Sequence, residues 1–148
     1  YLAGVWGRLK SQKGTIDGQI GRSPINRKKM AVLKRGGKFA RTHFRAIGSR
    51  DDLISLVECR LETGRTHQIR VHMASIGHSV VGDLIYGRGR RQIASNNLAL
   101  NKKLKAVKRQ LLHARSLGFY HPITGEPLLF NSNNVPELKE IFPDTKFD

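Results

Sequence analysis

Residues 61–72 read Leu-Glu-Thr-Gly-Arg-Thr-His-Gln-Ile-Arg-Val-His, which indicates a glycine turn that leads into a helix. Ile69, Met73 and Ile76 follow the i, i+4, i+7 spacing that places apolar side chains on one helix face. Gly77 is expected at the C′ position, where the left-handed backbone conformation favours glycine. The stretch therefore predicts a short amphipathic helix that lies between two glycine-containing turns.

The turn before this helix predicts an anion-binding site. Thr66 is expected to be the N-cap, because a threonine hydroxyl accepts a hydrogen bond from an early backbone N–H group. The other N–H groups at a helix N-terminus attract a phosphate or a carboxylate, and Arg65 lies beside them in the sequence. Arg70 follows one turn into the helix, where its guanidinium could pair with a carboxylate from another part of the fold.

Strand patterns flank the helix on both sides. Residues 38–47 alternate with a period of two, which predicts a strand with Arg41 and His43 on one face and Ala40 and Thr42 on the other, one face buried and one wet. Further strands are predicted at residues 1–8, 30–33, 53–61, 111–120 and 128–130, turns at residues 13–14 and 17–18, and helices at residues 96–108 and 136–142. This arrangement predicts an α+β fold with a mainly antiparallel sheet and flanking helices.

The chain carries a large positive charge. Its 27 Lys and Arg residues stand against 11 Asp and Glu residues, which gives a formal net charge of +16. The first 50 residues hold 13 basic residues and one acidic residue, Asp17. Because such an excess destabilises a compact fold by self-repulsion, we expect a nucleic-acid partner rather than charge that serves only solubility. A membrane surface is a weaker candidate, since the basic residues are not gathered on one amphipathic helix.

Composition disfavours several other classes of protein. No apolar run reaches the roughly 18 residues that read as a membrane span, so no membrane association is expected. Cys59 is the single cysteine and cannot form an internal disulfide, which predicts a reducing, cytoplasmic compartment. His67 and His72 stand five positions apart, and no cysteine or acidic cluster accompanies them. A metal site is therefore not expected.

The central stretch and several ordered pieces around it resemble the RluA family of pseudouridine synthases. The pieces lie in order along the chain at residues 1–3, 26–30, 37–42, 61–72, 74–78, 81–83 and 112–126. Such an ordered set covers nearly the whole chain and is far more specific than a single short motif. The resemblance implies the C-terminal portion of a pseudouridine synthase catalytic-domain fold. It also implies isomerisation of uridine in structured RNA, without metal or cofactor, with ribosomal RNA favoured and transfer RNA left open as the substrate.

The resemblance also implies roles for individual residues. Tyr1 would stack on the flipped base and could assist proton removal, and Arg70 would pair with the catalytic aspartate. Leu112 would form an apolar wall of the pocket. Five further residues would form the surrounding substrate-binding shell: Gly64, Arg65, Thr66, His67 and Gln68.

One departure from the family pattern limits these expectations. The family's catalytic aspartate belongs to a His-Arg-Leu-Asp motif upstream of the tyrosine, and residues 1–148 contain no such motif. We therefore expect residues 1–148 to form the C-terminal portion of a catalytic domain that is inactive without the upstream segment, and to be monomeric. Asp83 is interpreted as a turn residue rather than a pocket residue.

Two alternatives to the enzyme remain open at this point. The first is a non-catalytic RNA-binding module on the same scaffold, which the missing motif keeps possible. The second is a basic structural module similar to a ribosomal protein, which would have no pocket around Tyr1 and Arg70.

Overall fold

The computed structural model describes residues 1–87 and 96–147 and confirms the predicted α+β fold. One six-stranded sheet has the order β3-β2-β4-β5-β1-β6, and every pairing within it is antiparallel. Its strands are β1 Leu2–Trp6, β2 Lys13–Arg22, β3 Met30–Leu33, β4 Lys38–Arg50, β5 Ile54–Leu61 and β6 Leu112–His113. Three helices are α1 Gln68–Ser75, α2 Leu98–Ala106 and α3 Pro136–Ile141, and a separate hairpin pairs β7 Ser116–Tyr120 with β8 Pro127–Asn131.

Helix α1 packs on one face of the sheet. Ile69 and Met73 of this helix lie in one apolar cluster with side chains from the central strands. The buried strand and loop members of this cluster are Ala3, Val5, Ile16, Val57, Cys59 and Val80. The helix also contacts strands β2, β3 and β4, so its side chains reach the part of the sheet that is rich in basic residues.

Helices α2 and α3 pack on the opposite face. Leu2, Trp6, Ile54 and Leu56 of strands β1 and β5 meet the apolar side chains of these helices. The buried members from the helices and their flanking residues are Leu100, Leu104, Val135, Leu138, Ile141 and Phe142. The central strands are therefore covered on both faces, and β5 begins with four consecutive buried residues instead of an alternating pattern.

Two local predictions were wrong in this part of the chain. Residues 13–14 and 17–18 lie inside strand β2 and do not form turns. A Cβ atom on Gly14 would stand 2.7 Å from the Phe44 ring, and one on Gly18 would stand 2.8 Å from Val32 Cγ1. These glycines make room for large side chains on adjacent strands. Glycine inside a strand can therefore mark a close approach as well as a turn.

The predicted strand at residues 111–120 is in fact two strands. Residues 112–113 pair with β1, whereas residues 116–120 pair with β8. The chain leaves the main sheet between them, so the one predicted strand contributes to two separate sheets. No helix in the part of the chain that the structure describes is long and apolar enough to cross a membrane.

Gly82 and Gly36 provide a matched test of the packing around the turn after helix α1. Both have positive φ, 77° and 82°, but a Cβ atom on Gly82 would press against the Arg109 carbonyl, whereas Gly36 faces open space. Gly36→Ala should cost about 1–2 kcal/mol of unfolding free energy from backbone strain alone. Gly82→Ala should cost about 1–3 kcal/mol more, because overpacking adds to the same strain. Urea denaturation measures both, and equal losses would contradict this close approach of the two backbone segments.

Candidate active site

A buried ion pair lies at the centre of the site. Arg70 of helix α1 donates from Nε to Asp83 Oδ2 at 2.7 Å and from Nη2 to Asp83 Oδ1 at 2.8 Å. The Arg70 side chain is 9% exposed and the Asp83 side chain is 0% exposed. Two parallel charge-assisted hydrogen bonds fix the plane of the guanidinium as well as its position. Arg70 therefore pairs with a carboxylate of this chain, that of Asp83.

Asp83 is held in place by the turn in which it lies. Its Oδ1 atom also accepts hydrogen bonds from the backbone N–H groups of Ile85 at 2.9 Å and Tyr86 at 3.1 Å. Aspartate commonly organises a turn by this kind of bond to the residues that follow it. The interpretation of Asp83 as a turn residue was correct but incomplete, because the same carboxylate also binds Arg70.

The electrostatics of Asp83 and Arg70 favour the charged form of both groups. Burial alone would raise the pKa of Asp83, but the hydrogen bonds from Arg70, Tyr86 N–H and Ile85 N–H outweigh it and hold this pKa below 3.8. The hydrogen bond to Asp83 raises the pKa of Arg70 in turn. The pair is therefore a true ion pair at neutral pH.

Tyr86 joins the ion pair to its surroundings and was not singled out from the sequence. Its ring centroid lies 4.9 Å from Arg70 Cζ, within the range of a cation–π contact. Its hydroxyl accepts the Met30 N–H group at 3.0 Å and lies 2.8 Å from His67 Nδ1. Partial burial of the His67 ring, together with the positive charge of Arg70, lowers the pKa of His67 and favours the neutral ring. In the neutral ring, the position of the remaining proton decides whether Nδ1 accepts from the Tyr86 hydroxyl or donates to it.

The loop before helix α1 is fastened by Gln68, which is 2% exposed. Its Nε2 atom donates to the Arg41 carbonyl at 2.9 Å and to Thr42 Oγ1 at 3.0 Å. Its Oε1 atom accepts from Thr63 Oγ1 at 2.8 Å and from Arg65 N–H at 3.0 Å. The side-chain amide is thus occupied by protein partners and ties the loop to strand β4. The place of Gln68 in the substrate-binding shell stays a prediction.

The helix start differs from its prediction. The N-cap is His67 rather than Thr66, with φ 56° and ψ 23° and no side-chain cap hydrogen bond. Thr66 and Gly64 are exposed, and the Arg65 Nε group donates to the Phe39 carbonyl at 2.9 Å. The Arg65 N–H group donates to Gln68 Oε1, so this backbone donor is already used within the loop. The anion site itself stays a prediction.

Tyr1 and Leu112 lie on the same face of the sheet as helix α1. Leu112 is directly opposite Ala3 in the β1–β6 pairing and packs against the apolar cluster under the helix. Tyr1 is 38% exposed, and its carbonyl accepts the Cys59 N–H group at 2.8 Å. Side chains alternate along a strand, so Tyr1 is directed to the same face as Ala3 and Val5. Their roles toward a substrate remain predictions.

A strongly basic surface adjoins the ion pair. Residues 18–50 contain ten basic residues and no acidic residue. Seven of the ten lie on or beside strand β3 and are called the basic edge here: Arg22, Arg27, Lys28, Lys29, Lys34, Arg35 and Lys38. Within residues 1–87 and 96–147, none of the seven forms an ion pair with an acidic side chain. Lys29 Nζ donates to the Ile85 carbonyl at 2.9 Å, which places this edge beside the turn that holds Asp83.

A family model described as RNA pseudouridylate synthase matches residues 1–75, from the first residue to the end of helix α1. The chain belongs to the RNA pseudouridylate synthase family. The resemblance to the RluA family is thereby confirmed over the segment that contains Tyr1, the glycine loop and Arg70. Among the described residues, no cluster of three or more His, Cys, Asp or Glu side chains could hold a metal ion.

Individual members of the family extend this similarity beyond residue 75. The chain is 48% identical over 148 residues to "Ribosomal large subunit pseudouridine synthase D" of Xanthomonas campestris pv. campestris, which covers 100% of the chain and 44% of that protein. It is 47% identical over 133 residues to the protein of the same name from Zymomonas mobilis, which covers 89% of the chain and 40% of that protein. The chain thus spans less than half the length of these relatives.

The fold agrees with a solved member of the family. The structure of human RNA pseudouridylate synthase domain containing 1 superposes with a TM-score of 0.73 at 27% identity. The match covers 98% of this chain and 57% of the human chain. The predicted pseudouridine synthase catalytic-domain fold is therefore confirmed for the length of this chain.

The chain offers a matched pair of carboxylates to measure what burial does to the central ion pair. Asp17 binds Arg41 with the same two-bond geometry, at 2.8 Å for both bonds, but those side chains are 46% and 37% exposed. Asp83→Asn should cost about 3–5 kcal/mol of unfolding free energy, because it leaves the Arg70 charge buried without its counter-ion. Asp17→Asn should change the unfolding midpoint little, since water screens an exposed pair.

The same comparison has a defined pH dependence. The pKa of Asp83 is lowered in the folded state, so its contribution is complete above the unfolded value of about 3.8 and is lost as the pH falls through the folded value. The stability gap between the wild type and Asp83→Asn should thus stay constant from neutral pH to about 4 and shrink in more acidic solution. A gap that widens on acidification would contradict a charged Asp83.

Proposed function

We propose that this chain contributes to the active site of an enzyme that isomerises uridine to pseudouridine in structured RNA. The observation that carries the proposal is the geometry of Arg70 in a chain of this family. Asp83 occupies Nε and one N–H bond of Nη2, and among the described residues Nη1 has no hydrogen-bond partner. One edge of a fixed guanidinium is therefore available to a second carboxylate.

The second carboxylate is the catalytic aspartate of the proposed enzyme. Asp83 does not suit that role, because its side chain is fully buried and accepts hydrogen bonds from Arg70, Ile85 and Tyr86. The aspartate would come from an upstream segment that residues 1–148 do not include. Arg70 would hold it in the charged form, since an adjacent positive charge lowers the pKa of a carboxyl group.

The remaining predicted residues have defined tasks in this reaction. The bond between the base and the sugar breaks, the base rotates, and a new bond forms from a carbon atom of the ring. Tyr1, on the helix face of the sheet, would stack on the extruded base and assist removal of the ring proton. Leu112 would line the apolar side of the pocket, and the loop from Gly64 to His67 would close around it. No metal or cofactor takes part in this scheme.

RNA is the proposed partner, with large-subunit ribosomal RNA as the favoured substrate. The basic edge supplies cations that are not neutralised by described acidic side chains, and it lies next to the turn that contains Asp83. Contacts of this kind hold a phosphate backbone without reading its sequence. The names of the relatives from Xanthomonas campestris and Zymomonas mobilis support ribosomal RNA over transfer RNA. The proposal includes a monomer in the cytoplasm, a location that the unpaired Cys59 favours.

The decisive experiment compares the 148-residue chain with the same chain extended upstream through an Arg-Leu-Asp segment. Pseudouridine formation is measured on large-subunit ribosomal RNA transcripts and on transfer RNA. We expect product from the extended protein only, because the catalytic aspartate lies in the added segment. Replacement of that aspartate by asparagine is the matched control and should abolish the product. RNA binding without product in either form would support the non-catalytic RNA-binding module instead.

The salt dependence of RNA binding tests the basic edge. Each phosphate that the protein binds on a single strand contributes about −0.7 to the slope of log affinity against log salt concentration. The double variant Arg27→Gln, Lys28→Gln should make the slope shallower by about 0.7 for each phosphate that it no longer binds. Lys139→Gln, which alters an exposed cation on helix α3 across the sheet, is the control and should leave the slope unchanged. Equal slopes for both variants would place the RNA elsewhere.

A further inference from the structure

Tyr86 contacts four residues that belong to three separate parts of the site. Its backbone N–H group donates to Asp83 Oδ1, and its ring lies against the Arg70 guanidinium. Its hydroxyl accepts the Met30 N–H group and lies within hydrogen-bond distance of His67 Nδ1. The His67 ring also packs against the Tyr86 ring in an edge-to-face arrangement, with centroids 5.6 Å apart. One half-buried side chain thus bridges the ion pair, the start of helix α1 and the start of strand β3.

The contact with Met30 connects Tyr86 to the basic edge. Met30 directly follows Arg27, Lys28 and Lys29, and its N–H group is the first backbone donor of strand β3. Lys29 adds a second connection, because its Nζ atom donates to the carbonyl of Ile85, the residue before Tyr86. The loop that is proposed to bind phosphates and the turn that holds Asp83 are therefore joined by two hydrogen bonds over 56 residues of sequence.

We propose that Tyr86 is a positioning residue, which transmits RNA binding on the basic edge to the orientation of the Arg70 guanidinium. This inference rests on the proposed function and adds to it a residue that does not itself touch the reacting atoms. A displacement of residues 27–30 by bound RNA would move the Tyr86 hydroxyl. Because the ring and the backbone of Tyr86 contact both members of the ion pair, that movement reaches the guanidinium edge on which the catalytic aspartate would bind.

The hydroxyl can be removed while the other contacts stay in place. Tyr86→Phe keeps the ring against Arg70 and the backbone bond to Asp83, but it deletes the bonds to Met30 and His67. In the extended, active protein we expect kcat to fall by roughly fivefold or more, a loss of about 1 kcal/mol of transition-state stabilisation. The KM for RNA should change little, since the basic side chains are intact. Tyr120→Phe, at a 75% exposed position on the separate hairpin, is the matched control and should leave both constants unchanged.

A second background tests whether Tyr86 acts through Arg70. Arg70→Lys removes the two-bond geometry, so the kcat loss from Tyr86→Phe should shrink markedly when Arg70→Lys is already present. The same fold-loss in both backgrounds would show that Tyr86 acts independently of Arg70 and would overturn the inference. A loss that disappears once the temperature is lowered to restore complete folding would overturn it as well, because it would mark a merely structural role.

His67 gives a readout that does not depend on activity. In the wild type, long-range nitrogen–proton NMR correlations should show a neutral His67 ring with its proton on Nε2, which is the tautomer that accepts the Tyr86 hydroxyl proton at Nδ1. In Tyr86→Phe the nitrogen chemical shift of His67 Nδ1 should change, because its hydrogen-bond partner is gone. An unchanged ring in the variant would overturn the inferred hydrogen bond and the coupling built on it.

The two proposals fail in distinguishable ways. An inactive extended wild-type protein would overturn the proposed enzyme function and, with it, the role of Tyr86. An active wild-type protein whose Tyr86→Phe variant equals Tyr120→Phe would overturn the role of Tyr86 alone.

Discussion

The ion pair between Arg70 and Asp83 is the interaction on which the site depends. Removal of two charges from water carries a desolvation cost of several kcal/mol for each ion, and mutual attraction offsets it only with good geometry and further hydrogen bonds. Asp83 meets this condition with four accepted hydrogen bonds, two from Arg70 and two from backbone N–H groups. The guanidinium has the carboxylate on one edge, and its Cζ atom lies over the Tyr86 ring at 4.9 Å from the centroid. Helix α1 and the turn after it are therefore held in one relative orientation.

This constraint matters because helix α1 has little stability of its own. It is eight residues long, and its first cap is a left-handed His67 without a side-chain cap bond. A helix of this length is marginal in water, so packing and side-chain bonds must determine its position. Gln68 hydrogen-bonds the start of helix α1 to strand β4, and Met73 packs the helix on the sheet. Arg70 binds the helix to the turn that contains Asp83. The backbone strain at His67, of order 1–3 kcal/mol, is tolerated where these contacts over-determine the conformation.

The sequence predicted well those features that a local pattern specifies. Alternation along residues 38–47 predicted strand β4 with one buried face, on which the structure places Thr42, and the i, i+4 spacing from Ile69 identified helix α1. Predictions failed where the conformation of a residue depends on a contact with a residue distant in the sequence. Gly14 is a strand residue because Phe44 lies over it on strand β4, and His67 displaced Thr66 as the cap because Gln68 engages residues 41, 42, 63 and 65. Nothing in the local sequence shows those partners.

The same limit explains why Arg70 was found and its partners were not. Arg70 belongs to a motif that can be read in one stretch, whereas Asp83 and Tyr86 acquire their roles only when the turn folds back on helix α1. A comparison with Asp17 shows the physical reason. Asp17 and Asp83 each bind an arginine through both carboxylate oxygens, but the pair with Asp17 is exposed and the pair with Asp83 is buried. Residue type and spacing do not separate the two cases, because burial is a property of the assembled layers. The chemistry of an acidic residue in this chain therefore depends on its burial, and Asp83 is fully buried beside Arg70 of helix α1.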